Sequence, residues 1–515
     1  MSRFNSGTVR APQRSAVQST GIKQVNHNGA QGFKRDAKSE LFVSAATSFA
    51  VDKFYESASN LRTRQTALLK EVAVADPKWT RDFLHWLRHD AMLRTGPAIL
   101  ACEAVKARLD AGEQGGNREI IRAVLARPDE PGELLAYWIS EHGRRIPKPV
   151  KRGVADAVSK MYTERNWLKY DSQKSALRFA DVIELTHPDM DGVLAKYILD
   201  DRHHEANVVQ GTLPMIRANR WIRGVDASLI RNWAKNGTLS DHLKNAGMTW
   251  EDIPSIVNGP WTGELWDAII PSMGAFALMR NLRNFDTNGI SPESVAIVKA
   301  KLSDPDEIAK SRALPMRFLT AYKNAPNVRW HEPLEIGLHH TLQNVPSLKG
   351  RTLILMDWSG SMFGYSETIT NAEKATLFGT ALAQRAEHAD LVAYGNNAYR
   401  IELKPGASLI NAVESARNLG GTDTAGTLQA WFKGHDRVVI ITDEQYGGAS
   451  LFGVRIADPG SVIPNTTPLI TVNLGGYATA QASGKNRVTI ASLSDSAFKL
   501  IDLLGNTSEK WPWEA

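Results

Sequence analysis

Cys102 is the only cysteine in 515 residues. That excludes an intramolecular disulfide and a cysteine-built zinc site, and it suits a reducing cytoplasm, where we place the chain. No stretch approaches the roughly eighteen apolar residues of a membrane span, so no membrane partner is expected. The opening Met1-Ser2-Arg3-Phe4-Asn5 holds no apolar signal core, which argues against secretion. The helical part lacks the spaced acidic cluster of a two-metal nuclease. Ser359 lacks the preceding glycine of a nucleophile elbow. No catalytic set emerges, and we expect a binding protein, not an enzyme.

What is present is an ordinary globular composition, 43% apolar and 23% charged, at a length that calls for two or three domains. The charge is unevenly divided. From Pro346 onward there are 14 Lys and Arg against 16 Asp and Glu, which leaves 47 against 39 for the rest of a chain of net charge +6. The basic character therefore belongs to the N-terminal two thirds, as in many nucleic-acid binders.

Residues 1–35 carry Arg3, Arg10, Arg14, Lys23, Lys34 and Arg35 among Gly, Ser, Asn and Gln, and read as a flexible basic arm. From 36 to 345 the periodicities are helical. Trp79, Phe83, Leu84 and Leu87 form one stripe. Val150, Val154, Ala157, Val158 and Met161 form another, after a Pro149 suited to a first helical turn. Breaks at 127–132, 187–189, 258–260 and 287–289 suggest helical pairs stacked as an all-α, HEAT-like repeat array. From 349 to 515 the pattern changes. Apolar runs at 352–356, 391–394, 438–442 and 469–474 alternate with helical stretches near 370–388, 408–418, 424–433 and 495–504. That predicts a doubly wound α/β domain with a parallel sheet. Residues 456–463 read as a loop.

The sharpest chemical signal lies where the run 352–356 ends on Asp357-Trp358-Ser359-Gly360-Ser361. Open α/β sheets place ligands at the C-terminal ends of their strands. An all-oxygen group with one charge suits Mg²⁺ or another hard divalent cation. Gly420-Gly421-Thr422 adds a hydroxyl on a glycine-permitted turn, and the run 438–442 ends on Asp443. The competing explanation makes the two serines caps of the next helix. In order and spacing the three segments resemble the metal-ion-dependent adhesion site of von Willebrand factor A domains, which implies Asp357, Ser359, Ser361, Thr422 and Asp443 as the metal ligands. Such a site can leave a coordination position for an acidic protein ligand, or serve structure alone.

The helical part resembles the TROVE module of Ro ribonucleoproteins (the Ro60 type). The resemblance rests on 143–153 (Gly-Arg-Arg-Ile-Pro-Lys-Pro-Val-Lys-Arg-Gly), 179–188 (Phe-Ala-Asp-Val-Ile-Glu-Leu-Thr-His-Pro), 279–285 (Met-Arg-Asn-Leu-Arg-Asn-Phe) and 314–319 (Leu-Pro-Met-Arg-Phe-Leu). It implies a ring of helical repeats that binds small noncoding Y-type RNA outside and single-stranded RNA ends in its hole, alongside an exoribonuclease. The residues it singles out are Arg144, Arg145, Lys148, Lys151, Arg152, Lys174, Arg178, His187, Arg280 and Arg283. Five cations within 144–152 also read as a solvated helix start, and His187 before Pro188 as a structural cap. Phe276, Met279 and Leu282 read as the core stripe behind Arg280 and Arg283. The rival reading is a protein-interaction scaffold that uses the adhesion-type site without RNA.

Overall fold

The computed structural model describes residues 19–25, 31–47, 58–203, 211–257, 259–313, 315–364, 368–404, 406–443, 459–474, 486–490, 497–498, 500–501 and 510–514. It falls into two compact units. One comprises residues 1–68, 314–320 and 342–515; the other, 69–313 and 321–341. Of the expected span 36–345, residues 36–68, 314–320 and 342–345 cluster with the first unit. One cause is visible in the helix Ala37–Thr47: its buried Phe42 lies 5.2 Å from the Trp511 ring and 6.2 Å from Trp513.

In the second unit short helices follow one another, each packed mainly on helices one to three places further along. Asn117–Ala123 packs on Lys148–Met161, and Pro292–Ser303 on His331–His340. This is the neighbour-on-neighbour packing of a helical-repeat array. The predicted stripes are the buried ones. Trp79, Phe83, Leu84 and Leu87 line the inner face of Pro77–His89. Val150, Val154, Ala157 and Val158 line that of Lys148–Met161, with Met161 half-buried. Gly153 permits the close approach to Asn117–Ala123, because a Cβ there would fall 2.7 Å from the Arg118 carbonyl. Helix starts are closed locally. Asp76, Thr163, Asp191, Asp226, Thr262, Ser291 and Asp304 each accept a backbone N–H of the helix they precede. Two expected breaks are shorter than predicted. Glu130, Pro131 and Gly132 already belong to Glu130–His142, since proline is tolerated in a first turn. Asn288 ends Ala275–Asn288, which closes on Gly289 at φ +67°.

The strands are β1 (Ser19–Val25), β2 (Gln31–Arg35), β3 (Leu348–Asp357), β4 (Ala386–Tyr394), β5 (Ala398–Arg400), β6 (Arg437–Thr442), β7 (Leu469–Asn473) and β8 (Arg487–Ile490). β1 and β2 pair antiparallel, so the described part of the expected flexible arm is a two-stranded sheet whose backbone groups find partners in each other. Its residues 1–18 and 26–30 lie outside the described set. The other six strands form one sheet in the order β5-β4-β3-β6-β7-β8, parallel except for β5. Leu353, Leu355, Val392, Val438, Ile440 and Leu469 pack with Leu428 of the helix Thr424–Trp431. Met356 and Ile441 meet Gly379 of the helix Asn371–Arg385. Both faces are covered, as near-continuous apolar strands require. The short β5 and β8 carry too little pattern to be read from sequence. Pro459–Val462 forms a helical turn inside the expected loop, whose residues 456–458 lie outside the described set, as do most of 495–504.

Two polar groups in these cores yield tests. Arg88 and Glu130 are buried together, with Nη2 to Oε1 at 2.6 Å, and Glu130 also accepts the N–H groups of Ala126 and Arg127. Arg88→Met strands a buried carboxylate and is expected to cost about 3 kcal/mol in urea unfolding, part of it recovered by adding Glu130→Gln. A loss under about 1 kcal/mol would show the pair to be dispensable. Before β6, buried His435 accepts the Lys433 N–H at Nδ1 (3.2 Å) and turns Nε2 to Asp390 (2.8 Å). Burial holds its pKa below the usual imidazole value. A depressed pKa gives stability that is present above the unfolded value, near 6.5, and is lost as pH falls through the folded one. The fall in Tm from pH 7.5 to pH 5.5 should therefore be smaller in His435→Gln; an equal fall would exclude this origin.

Candidate metal centre and nucleic-acid interface

Strand register assembles the candidate metal residues. β3 and β6 run parallel with Met356 opposite Ile441, so Asp357 and Thr442 leave the sheet side by side and Asp443 follows at once. Asp357 and Asp443 are buried at 0% and 1% exposure, in a domain where carboxylates belong at the surface. Asp357 accepts the Thr442 hydroxyl at 2.6 Å and the Ser359 N–H at 2.8 Å. Even so, burial, with a smaller contribution from Asp443, pushes its pKa up to about 6. Opposite it on β4 the fully buried Tyr394 phenol is pushed well above its ordinary pKa, first by burial and then by the Asp357 charge.

The serine loop is pinned from both sides. Trp358 donates its N–H to the Tyr394 carbonyl (2.8 Å) and its indole N–H to Thr376 (2.8 Å). Gly360 N–H reaches the Gly420 carbonyl at 2.7 Å, which joins the serine loop to the glycine turn. Ser359 and Ser361 bring their hydroxyl oxygens to 3.2 Å from each other. Ser359 precedes the 3₁₀ turn Gly360–Phe363 without a capping bond, and the next α-helix is capped by Thr370. The capping explanation therefore lacks its hydrogen bonds. The glycine turn has its own anchors. Gly421 N–H donates to Asn396 Oδ1 (3.0 Å), and Asp423 N–H to the Gly395 carbonyl (3.1 Å). Half-buried Thr422 sits between them. Gly420 has φ +85°, and a Cβ there would lie 2.4 Å from Asn396 Nδ2, so the turn needs glycine on both counts.

The donor set fits a hard divalent cation. Two buried carboxylates and two adjacent serine hydroxyls are oxygen ligands of the kind magnesium takes, and a cation beside Asp357 would offset the cost of its buried charge. Among the described residues no group of three or more His, Cys, Asp or Glu stands together as a metal site, so a cation here would need the hydroxyls as well as the two carboxylates. From sequence, Thr442 is only the end of the second apolar run, with no role, and neither Tyr394 nor Asn396 has one. Thr442 could have been found by sliding two apolar runs into parallel register; the other two needed the fold.

The basic residues divide sharply. Arg144, Arg145, Lys148 and Arg152 are exposed and Lys151 half-buried at the start of Lys148–Met161, and none of the five forms an ion pair among the described residues. Lys174 is also exposed. Arg178 departs from expectation. Half-buried, it donates to Asp171 through Nε at 2.9 Å and reaches Asp201 at 3.5 Å, which makes it a structural tie. The His187 backbone ends Phe179–Thr186 at φ +47°, with its N–H on the Ile183 carbonyl, while the residue stays exposed. Arg280 and Arg283 are exposed and, with Met279, Leu282, Asn284, Ala321, Asn324, Ala325 and Pro326, line a pocket of about 330 Å³. Met279 and Leu282 are buried, but Phe276 is 36% exposed beneath Arg280, whose guanidinium lies 5.9 Å from its ring. The expected core position is thus half of a cation–π pair.

Residues 243–332 match the TROVE domain family. No curated protein matches the chain. Among solved structures, the crystal structure of Deinococcus radiodurans RO (RSR) protein matches with TM-score 0.72 over 91% of this chain and 99% of that one, at 16% identity. The likeness is one of fold: a helical array together with an α/β domain.

If the five oxygen ligands hold a cation, Mg²⁺ added to metal-free protein raises its Tm, and Asp357→Ala abolishes that rise. A rise that survives in the variant would place the ion elsewhere.

Proposed function

We propose that this chain, which carries a TROVE domain and has the fold of a Ro protein, is an RNA-binding protein of the Ro type that works by binding and not by catalysis. The observation that carries this reading is the cluster Arg144, Arg145, Lys148, Lys151 and Arg152: five cations at one helix start, none in an ion pair among the described residues. Elsewhere in the same unit cations are repeatedly tied down, as Arg88 is by Glu130, Arg118 by Asp156 and Arg178 by Asp171. Unpaired cations remain available to phosphate, which Arg meets with a fork of donors and Lys with a point charge.

In this reading the cluster and Lys174 take the backbone of a small structured noncoding RNA of the Y type. The pocket under Arg280 and Arg283 takes a single-stranded RNA end, with Asn284 and Asn324 able to bond a base edge and Phe276 able to stack beside it. Arg178 is withdrawn from the RNA surface, and His187 contributes only its exposed ring. Mg²⁺ sits on Asp357, Ser359, Ser361, Thr422 and Asp443, and supplies a point to which a partner's carboxylate can bind. An exoribonuclease that works on the bound RNA is the partner this reading implies.

The five cations changed together to Gln should weaken binding of a structured RNA at least tenfold and leave the far-UV spectrum unchanged. Each lost phosphate contact should also lower the salt dependence of binding by about 0.9 in log–log slope. An unchanged slope removes the cluster from the interface. A protein that ignores RNA even at low salt would instead be the interaction scaffold.

A further inference from the structure

Three aromatic side chains meet at the surface of the helical unit. They come from the consecutive helices Pro214–Arg223, Ala227–Lys235 and Leu239–Asn245. The rings of Trp233 and His242 stack with centroids 4.0 Å apart and planes 24° from parallel. Trp221 lies 5.4 Å from Trp233 and 5.9 Å from His242. This cluster is not the core of the three helices. Their inner faces are already filled by Ile216, Ile222, Ile230, Leu239 and Leu243. Trp221 is 53% exposed, the most open tryptophan among the exposed large apolar side chains. An indole left in water beside two further rings gives up burial the fold could have used, and such patches mark contact surfaces.

The charges around it choose the partner. Arg217 stands one helical turn before Trp221, on the same side of the helix, exposed and outside any ion pair among the described residues. Arg220 lies with its guanidinium 4.9 Å from the Tyr197 ring. Asp226, the acid nearest in sequence after Trp221, accepts the Ser228 N–H as a helix cap. An exposed ring beside a free cation is the arrangement by which proteins hold single-stranded nucleic acid. Every base offers a π-face to stack, and the cations follow the phosphates.

We infer that Trp221, backed by Trp233 and His242, is a stacking platform for an unpaired base of single-stranded RNA, with Arg217 on a flanking phosphate. The inference rests on the RNA-binding reading above and adds a site to it. It differs from the Arg144–Arg152 cluster in kind, since it reads the presence of a base and not merely of a phosphate.

The test uses the full chain, a fluorescein-labelled oligouridine of about ten nucleotides, and an abasic strand of the same length. Trp221→Ala should bind oligouridine about tenfold more weakly, the loss expected for one stacked base. It should bind the abasic strand as the unaltered protein does, with the same salt slope for both. Trp221→Tyr, which keeps a ring, should recover most of the affinity, and oligouridine should quench tryptophan fluorescence less in Trp221→Ala. The inference is overturned if Trp221→Ala binds oligouridine normally, if the abasic strand shows the same loss, or if Trp221→Tyr is as weak as Trp221→Ala. If the unaltered protein binds the structured RNA but not oligouridine, the platform alone fails. If it binds neither, the RNA-binding reading fails with it.

Discussion

The parallel pairing of β3 with β6 fixes where the polar groups of the C-terminal unit emerge. Because Met356 faces Ile441, two apolar strands run out of apolar residues at the same height, and Asp357, Thr442 and Asp443 appear together at the edge of a dry sheet. A shift of one residue would turn Asp357 toward a helix-covered face. The hydrogen bonds from Thr442 and Ser359, the pinning of Trp358 on the Tyr394 carbonyl and the junction between Gly360 and Gly420 all presuppose that register. A carboxylate buried under these terms is costly unless something cationic stands opposite it, and that cost is the physical case for a metal.

The helical unit solves a different problem. It has no single sheet to organise it, so each helix must bury its stripe on near neighbours and leave its outer face to solvent. On that face the balance of charge decides what can bind. Where an acid lies within reach the cation is spent on the fold, as Arg178 is on Asp171. Where none does among the described residues, as along 144–152, the charge is offered outward. The exposed ring of Trp221, backed by the half-buried Trp233 and His242, follows the same logic in apolar form: the inner faces of those helices are full, so the indole is left to serve something outside.

Those contrasts explain what could be read in advance. The strands ending at Asp357 and Asp443, and the helical stripes of Trp79 and Val150, depend on local spacing, which a sequence displays directly. The role of Arg178 depends on Asp171 and on Asp201, which is 23 residues away, and no local pattern shows that the three converge. Phe276 fell in the apolar stripe with Met279 and Leu282, yet only a folded neighbour can say whether a stripe's last member is covered. Trp221, Trp233 and His242 belong to three separate helices, so they form no motif in the linear chain. β1 and β2 were hidden for the opposite reason: their glycines and polar residues carry little strand signal, and their pairing rests on the backbone.

The local helix caps have a further consequence. Asp76, Asp191, Asp226 and Asp304 each satisfy N–H groups two or three residues ahead, so the closure of a helix start depends on a handful of consecutive positions. A substitution in one helix then leaves the ends of the others intact. A lineage of such proteins can exchange most of its outward residues, one helix at a time, and so acquire new ligands faster than it acquires a new shape.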